Sequence, residues 1–333
     1  MGAVTARAVV LALLAACSPE TVSRPPPPPV NWASLRPAPP PDAAPTSATK
    51  QERAIAELYM KATSDGDAAE LGRVLADEVH FTFAGLETTA VYGRAEVIRA
   101  HDQLFGGYQP KVFTASRVLL TDRSQAIEWT MTGRDKASGK PVGIRGLTLL
   151  QTKDDGTISE IHLYFDQGVL QAQITGVPEA LATLPLATAP SAPITEVEQG
   201  KTPDEQANAS PVSRWLDALE NAEPAYLAAM TDDVEVTTAQ RATPMKGKKD
   251  LAAYYAAMHR AIEGLDTQLE NVSAIGPYVV AEYHIVGTQR GSYLYVPVKN
   301  PVIKVSLVDV IEMRGGKIAR VWRYDNPLQI LQQ

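Results

Sequence analysis

The chain writes one phrase twice: "YFDQGVLQAQ" at 164–173 and "RYDNPLQILQQ" at 323–333, with Asp166 and Asp325 spaced by 159 residues. Other matches keep the same order. "ADEV" at 76–79 is answered by "TDDV" at 231–234, "AIEWTMTG" at 126–133 by "VAEYHIVG" at 280–287, and "DGTISEIHLYFD" at 155–166 by "GGKIARVWRYD" at 315–325. The offsets drift slowly between 154 and 159 residues, as small loop insertions produce. Ordered matches at one spacing mark a duplicated unit. Such a chain folds as two copies of one domain, which excludes a single sheet or barrel drawing on its whole length.

Within the first copy, Ile55, Leu58, Tyr59 and Ala62 recur at helical spacing, and Leu71, Val74 and Leu75 do so after the "SDGD" turn. Val97, Ile98, His101, Leu104 and Phe105 predict a third helix, and four strand-like runs follow to Asp166. The second copy repeats this order from Val212, with Leu251, Tyr254, Tyr255, Met258 and Ile262 on its third helix. The boundaries read as 49–174 and 209–333, joined by an exposed linker over 175–208 that holds about one helical turn. With 333 residues, 45% of them hydrophobic, each copy can bury its own core. A net charge of −7 without a basic cluster excludes nucleic acid as a partner.

Residues 1–16 carry one positive charge, Arg7, and then an apolar run, the pattern of a secretory signal. That run is too short to span a bilayer. It ends at Cys17, the single cysteine of the chain, in the order Leu14-Ala15-Ala16-Cys17. This resembles a bacterial lipobox, which implies lipidation at Cys17 and, with Ser18 next, residence at the outer membrane facing the periplasm. Residues 17–48 are proline-rich, with "PPPPP" at 25–29, and read as an extended, disordered stalk.

The order helix, helix, short strand, helix and four long strands resembles the SnoaL-like branch of the NTF2-like superfamily. The resemblance implies an α+β fold: two tandem cone-shaped domains, each a curved antiparallel sheet packed on about three helices, with a pocket inside the cone. NTF2-like domains commonly pair through their sheets, so a pseudo-dimer within the chain is expected. The second copy is similar to the ester-cyclase version, but Gln289 stands where that version has histidine, and "VPVKN" at 296–300 lacks its Thr-Gly.

In cyclases of that family an aspartate at the end of the last strand is the general acid/base, with neither metal nor cofactor. By position the candidates are Asp166 and Asp325. A carboxylate desolvated among apolar walls has a raised pKa and can take a proton from carbon beside a carbonyl. Strand alternation puts His162, Tyr164 and Asp166 on one face, a usable acid/base set, whereas matching Asp325 to Asp166 gives Val321, Arg323 and Asp325. Arg323 would lower the pKa of its neighbour, so the first copy is expected to keep the working pocket. The alternative role for both aspartates is helix capping, which suits "DNPLQ" especially. No histidine pair has helical metal spacing, so no metal is expected, and no phosphate loop or cofactor motif is present. Glu128 and Glu282 recur at matching strand positions and read as surface or interface residues. Two classes of function remain: a lipoprotein binding a small apolar molecule or a protein partner, and a cofactor-free cyclase or isomerase.

Overall fold

A computed structural model describes residues 47–332 apart from 85, 221–224 and 299–301. The expected signal sequence, Cys17 and nearly all of the expected stalk lie outside the described residues. Among the described residues no helix is long and apolar enough to cross a membrane.

The first copy begins with α1 (Ser47–Asp65) and α2 (Ala68–Val74), separated by a sharp turn at which Asp67 accepts the N–H groups of Ala69 and Glu70, both at 3.0 Å. Strands β1 (Leu75–Phe83) and β2 (Leu86–Tyr92) follow, then α3 (Arg94–Phe105) and the meander β3 (Tyr108–Leu120), β4 (Ser124–Asp135), β5 (Pro141–Thr152) and β6 (Ile158–Phe165). Helix α4 (Gln167–Thr175) closes the copy. The apolar face of α1, with Ile55, Tyr59 and Ala62, and Val97 and Phe105 of α3 fill the concave side of the sheet.

The second copy repeats the plan with α7 (Ala209–Glu220), α8 (Ala225–Ala228), β8 (Met230–Thr238), β9 (Met245–Lys246) and α9 (Gly247–Ala261). It continues with β10 (Ile262–Ile275), β11 (Tyr278–Gln289), β12 (Val302–Arg314), β13 (Lys317–Asp325) and a terminal 3₁₀ helix, Pro327–Gln332. Between the copies lie α5 (Glu179–Ala182), β7 (Thr195–Glu198) and α6 (Pro203–Ala207).

Two details depart from the sequence reading. Each sheet is mixed rather than antiparallel throughout, because β6 pairs in parallel with β1 and β13 with β8. The helix and meander between these strands return the chain to the first strand in the same direction. The linker is also not free: β7 adds to the exposed edge of β3, and Arg53 of α1 reaches Glu196 and Glu198 across it. The strand orders are β2-β1-β6-β5-β4-β3-β7 and β10-β11-β12-β13-β8-β9.

Among the described residues, buried apolar side chains form three groups: one inside each cone, and a third between the sheets. This third core joins Leu119, Leu147 and Tyr164 of the first copy to Val280, Val308 and Tyr324 of the second. Sheet alternation thus gives every central strand two buried faces, one inside its cone and one against the other copy.

Candidate active site in the second cone

Cross-strand register aligns the copies residue by residue. Glu128, Leu147 and Tyr164 form one row of the first sheet; Glu282, Val308 and Tyr324 form the corresponding row of the second. Tyr164 therefore answers Tyr324, Phe165 answers Asp325, and Asp166 answers Asn326. The sequence match of Asp166 with Asp325 is one residue out of register, and a slip of one exchanges the two faces of a strand.

The row containing the tyrosines faces the other copy. Tyr164 donates to Glu282 Oε1 at 2.6 Å, and Tyr324 donates to Glu128 Oε1 at 2.5 Å. Each tyrosine thus reaches the glutamate of the opposite sheet. Arg117 pairs with Glu128 and lies over the rings of Tyr278 and Trp322. His162 is on the same face, with Nδ1 2.6 Å from Glu282 Oε1 and Nε2 2.9 Å from Glu160 Oε1. The expected set of His162, Tyr164 and Asp166 therefore does not converge inside the first cone. Asp166 is the N-cap of α4: Oδ1 accepts from Gly168 N at 2.7 Å, Val169 N at 3.1 Å and the Tyr295 hydroxyl at 2.5 Å.

The first cone is filled. At the interior positions Trp129, Thr148, Leu163 and Phe165, the second copy has Tyr283, Asp309, Arg323 and Asp325. The Trp129 indole lies so close on Gly146 that a Cβ there would come 2.2 Å from its ring. Phe105, Phe113 and Phe165 close around it. The polar groups here are buried pairs: Trp129 donates to Thr148 at 3.0 Å, and Tyr59 meets His101 at 2.9 Å. Burial lowers the His101 pKa to about 4, so the ring is neutral.

The second cone differs. Arg323 is 2% exposed and Asp309 0%, and they form a bidentate pair at 3.0 and 2.8 Å. Tyr283 donates to Asp309 at 2.8 Å and accepts from Arg323 at 2.6 Å. The guanidinium charge is thus already matched by Asp309, and little of it is left for Asp325. Asp325 is buried, with Oδ1 accepting from Gln240 at 3.0 Å and Oδ2 without a partner among the described residues. Burial and the neighbouring Asp166 carboxylate push its pKa up to about 7, against the pull of Gln240 and Arg323. The same Gln240 amide donates to Asp166 Oδ2 at 2.6 Å, so one side chain bridges the two aspartates. Among the described residues the buried hydroxyl of Tyr293 meets no hydrogen-bond partner and that of Tyr255 has only the Arg323 guanidinium nearby, and burial raises both their pKa values, leaving them as neutral donors. Gln289, where the cyclase-like pattern has histidine, reaches the carbonyls of Val296 and Pro297 at 3.5 and 3.4 Å, both beyond the usual hydrogen-bond range.

The grouping of His162, Tyr164 and Asp166 on which the first copy was expected to keep the working pocket is therefore not what the structure shows. The other basis of that expectation was an arginine beside Asp325, and the structure engages that arginine with Asp309. Of the named candidates, Asp325 alone lines a cone, and Asp166 meets it from outside through Gln240. The sequence reading missed Asp309, Tyr283, Tyr293 and Gln240. One signal was available for Asp309: a lone carboxylate inside the apolar run "VSLVDVI" at 305–311 requires a buried partner.

A family model described as SnoaL-like polyketide cyclase matches residues 211–333, and one described as SnoaL-like domain matches residues 56–161. The protein is a tandem of SnoaL-like domains. Solved structures similar to a SnoaL-like domain of this chain include a candidate SnoaL-like polyketide cyclase from Jannaschia sp. CCS1, 22% identical, covering 40% of this chain and 95% of that one, TM-score 0.37. A candidate polyketide cyclase from Xanthomonas campestris pv. campestris is 18% identical, covering 39% and 100%, TM-score 0.35. A protein of ketosteroid isomerase-like fold from Catenulispora acidiphila, in complex with trimethylamine, is 19% identical, covering 37% and 90%, TM-score 0.33. No curated protein matches.

Proposed function

We propose that the second SnoaL-like domain binds a small, largely apolar carbonyl compound and that Asp325 moves a proton on it, as in a cofactor-free isomerase or cyclase. The observation that carries this reading is the place of Asp325: a buried carboxyl linked through Gln240 to the Asp166 carboxylate, its Oδ2 without a partner among the described residues, surroundings that push its pKa up to about 7. A base of that pKa can accept a proton from carbon beside a carbonyl and return it elsewhere. The neutral hydroxyls of Tyr255 and Tyr293 can donate to the oxyanion that forms, and such donors are worth most in a water-poor interior. Arg323 and Asp309 hold Tyr283 and the strand ends in place. The filled first cone supports a second reading for that domain alone, in which it is a packing partner and holds no ligand.

The test is exchange of α-carbon hydrogens in deuterated buffer, followed by NMR over a panel of cyclic ketones and β-keto esters. Exchange that disappears in Asp325→Asn and survives in Asp166→Asn supports the assignment. Exchange that survives in Asp325→Asn refutes it. Native mass spectrometry of protein from its own host tests for a retained ligand and separates binding from turnover.

We further propose that the protein is anchored at the cell envelope through Cys17. Lipid labelling present in the full chain and absent from Cys17→Ser is the expected result, and label persisting in the mutant counts against it.

A further inference from the structure

On the face of the first sheet that meets the second, parallel pairing of β1 with β6 sets His80 opposite Glu160 and Thr82 opposite His162. Two imidazoles and a carboxylate are thereby gathered from strands some 80 residues apart in the chain, with one ligand atom of each lying within 4.8 Å of the others. His162 Nε2 is 2.9 Å and His80 Nδ1 3.5 Å from Glu160 Oε1. The His80 ring is stacked on Tyr92, with centroids 4.6 Å apart, which fixes its plane. The side chains of Glu160 and His162 stay about one-fifth exposed, so the group is open to solvent at the edge of the buried inter-sheet core.

The second copy completes the arrangement. Glu282 Oε1 lies 2.6 Å from His162 Nδ1 and is itself held by the Tyr164 hydroxyl at 2.6 Å. A carboxylate that accepts a hydrogen bond from the Nδ1–H of a histidine turns the lone pair of Nε2 toward whatever lies on the other side, the arrangement behind most histidine metal ligands. Here the other side is Glu160 and His80. Glu160 and Glu282 together bring two negative charges, which matches a divalent cation.

We propose that His80, Glu160 and His162 bind one first-row transition-metal dication of the zinc type, with Glu282 of the second domain as the positioning carboxylate for His162. The donor set of two imidazoles and one carboxylate suits zinc, cobalt, nickel or copper, and leaves further coordination positions to water. Such an ion would lie at the seam of the two sheets, remote in function from Asp325, and would tie the first domain to the second through Glu282.

The experiment uses tag-free full chain stripped with chelator and titrated with Zn²⁺ by calorimetry. One ion per chain is expected. His162→Gln should abolish binding, and Glu282→Gln should weaken it about 10- to 100-fold, the range for loss of an orienting carboxylate. His259→Gln, on the distant helix α9, should leave it unchanged. Wild-type protein loaded with Cu²⁺ should show two imidazole nitrogens by pulsed electron paramagnetic resonance, a readout that needs no variant to fold. No zinc uptake, zinc uptake retained in His162→Gln, or a copper spectrum lacking imidazole nitrogen would each overturn the proposal. The group would then be an imidazolium held between two carboxylates.

Discussion

The pair Arg323–Asp309 offers a direct test of why the two cones differ. Both side chains are fully buried, and their bidentate geometry leaves neither charge exposed. Replacing Arg323 by Leu strands a carboxylate in the core; replacing Asp309 by Thr strands a guanidinium. Each single change should cost about 3–5 kcal/mol, the usual penalty for breaking a buried pair. The double variant Arg323→Leu/Asp309→Thr carries the residues found at the matching places in the first copy, Leu163 and Thr148. It removes both charges together, and what remains is the loss of partners for the hydroxyls of Tyr283 and Tyr254, which accept from Arg323 at 2.6 and 3.4 Å, about 1–3 kcal/mol. Additivity would predict about 6–10 kcal/mol, so the coupling between the sites should be several kcal/mol. Urea unfolding followed through Trp215, buried in the second core, reads the difference. With a slope of about 2 kcal/mol per molar, each single variant should lose roughly 1.5–2.5 M of midpoint and the double about 0.5–1.5 M. A double variant as unstable as the sum of the singles would refute the claim that Asp309 neutralises Arg323.

The pH dependence of Asp325 has a definite sign. Its folded pKa, about 7, lies above the ordinary 3.8, so folding is favoured at low pH, and that advantage is lost as pH rises from about 4 through about 7. Asp325→Asn should therefore match the wild type in stability near pH 4 and exceed it at pH 8, by an amount on the order of a few kcal/mol. Unfolding curves at the two pH values check this, and a difference that is the same at both would sink it. Gly146→Ala should displace Trp129, because no Cβ fits under the indole, and overpacking of this kind costs about 1–3 kcal/mol. A lowered melting temperature together with altered Trp129 fluorescence is the expected signature, and an unchanged melting temperature would show that the first cone has room.

The duplication was legible because strand composition repeats locally, and "AIEWTMTG" and "VAEYHIVG" do occupy matching places in the two sheets. The site was less legible, for a reason visible in one residue. Matching Asp325 to Asp166 compares local phrases, whereas the face of a strand is set by its partner across the sheet. Leu147 opposite Tyr164 and Val308 opposite Tyr324 show that the true match of Asp325 is Phe165. Alternation within β6 was read correctly, but nothing in the sequence states which face looks into the cone when both are buried. Nor could spacing reveal the group of His80, Glu160 and His162, since a parallel strand pairing joins residues far apart in the chain.

The reciprocal contacts of Tyr164 with Glu282 and Tyr324 with Glu128 have the geometry of a two-fold homodimer, yet they lie within one polypeptide. In a homodimer every codon is read into both halves, so a substitution that closes one cavity closes the other and a catalytic group cannot exist without its twin. Covalent joining removes that constraint. Here Phe165 and Asp325 stand at equivalent places, one sealing its cone and the other bringing a titratable group into its own. The sealed half can act as a rigid wall for the polar one, and the symmetric seam can stay fixed while the two interiors are tuned separately.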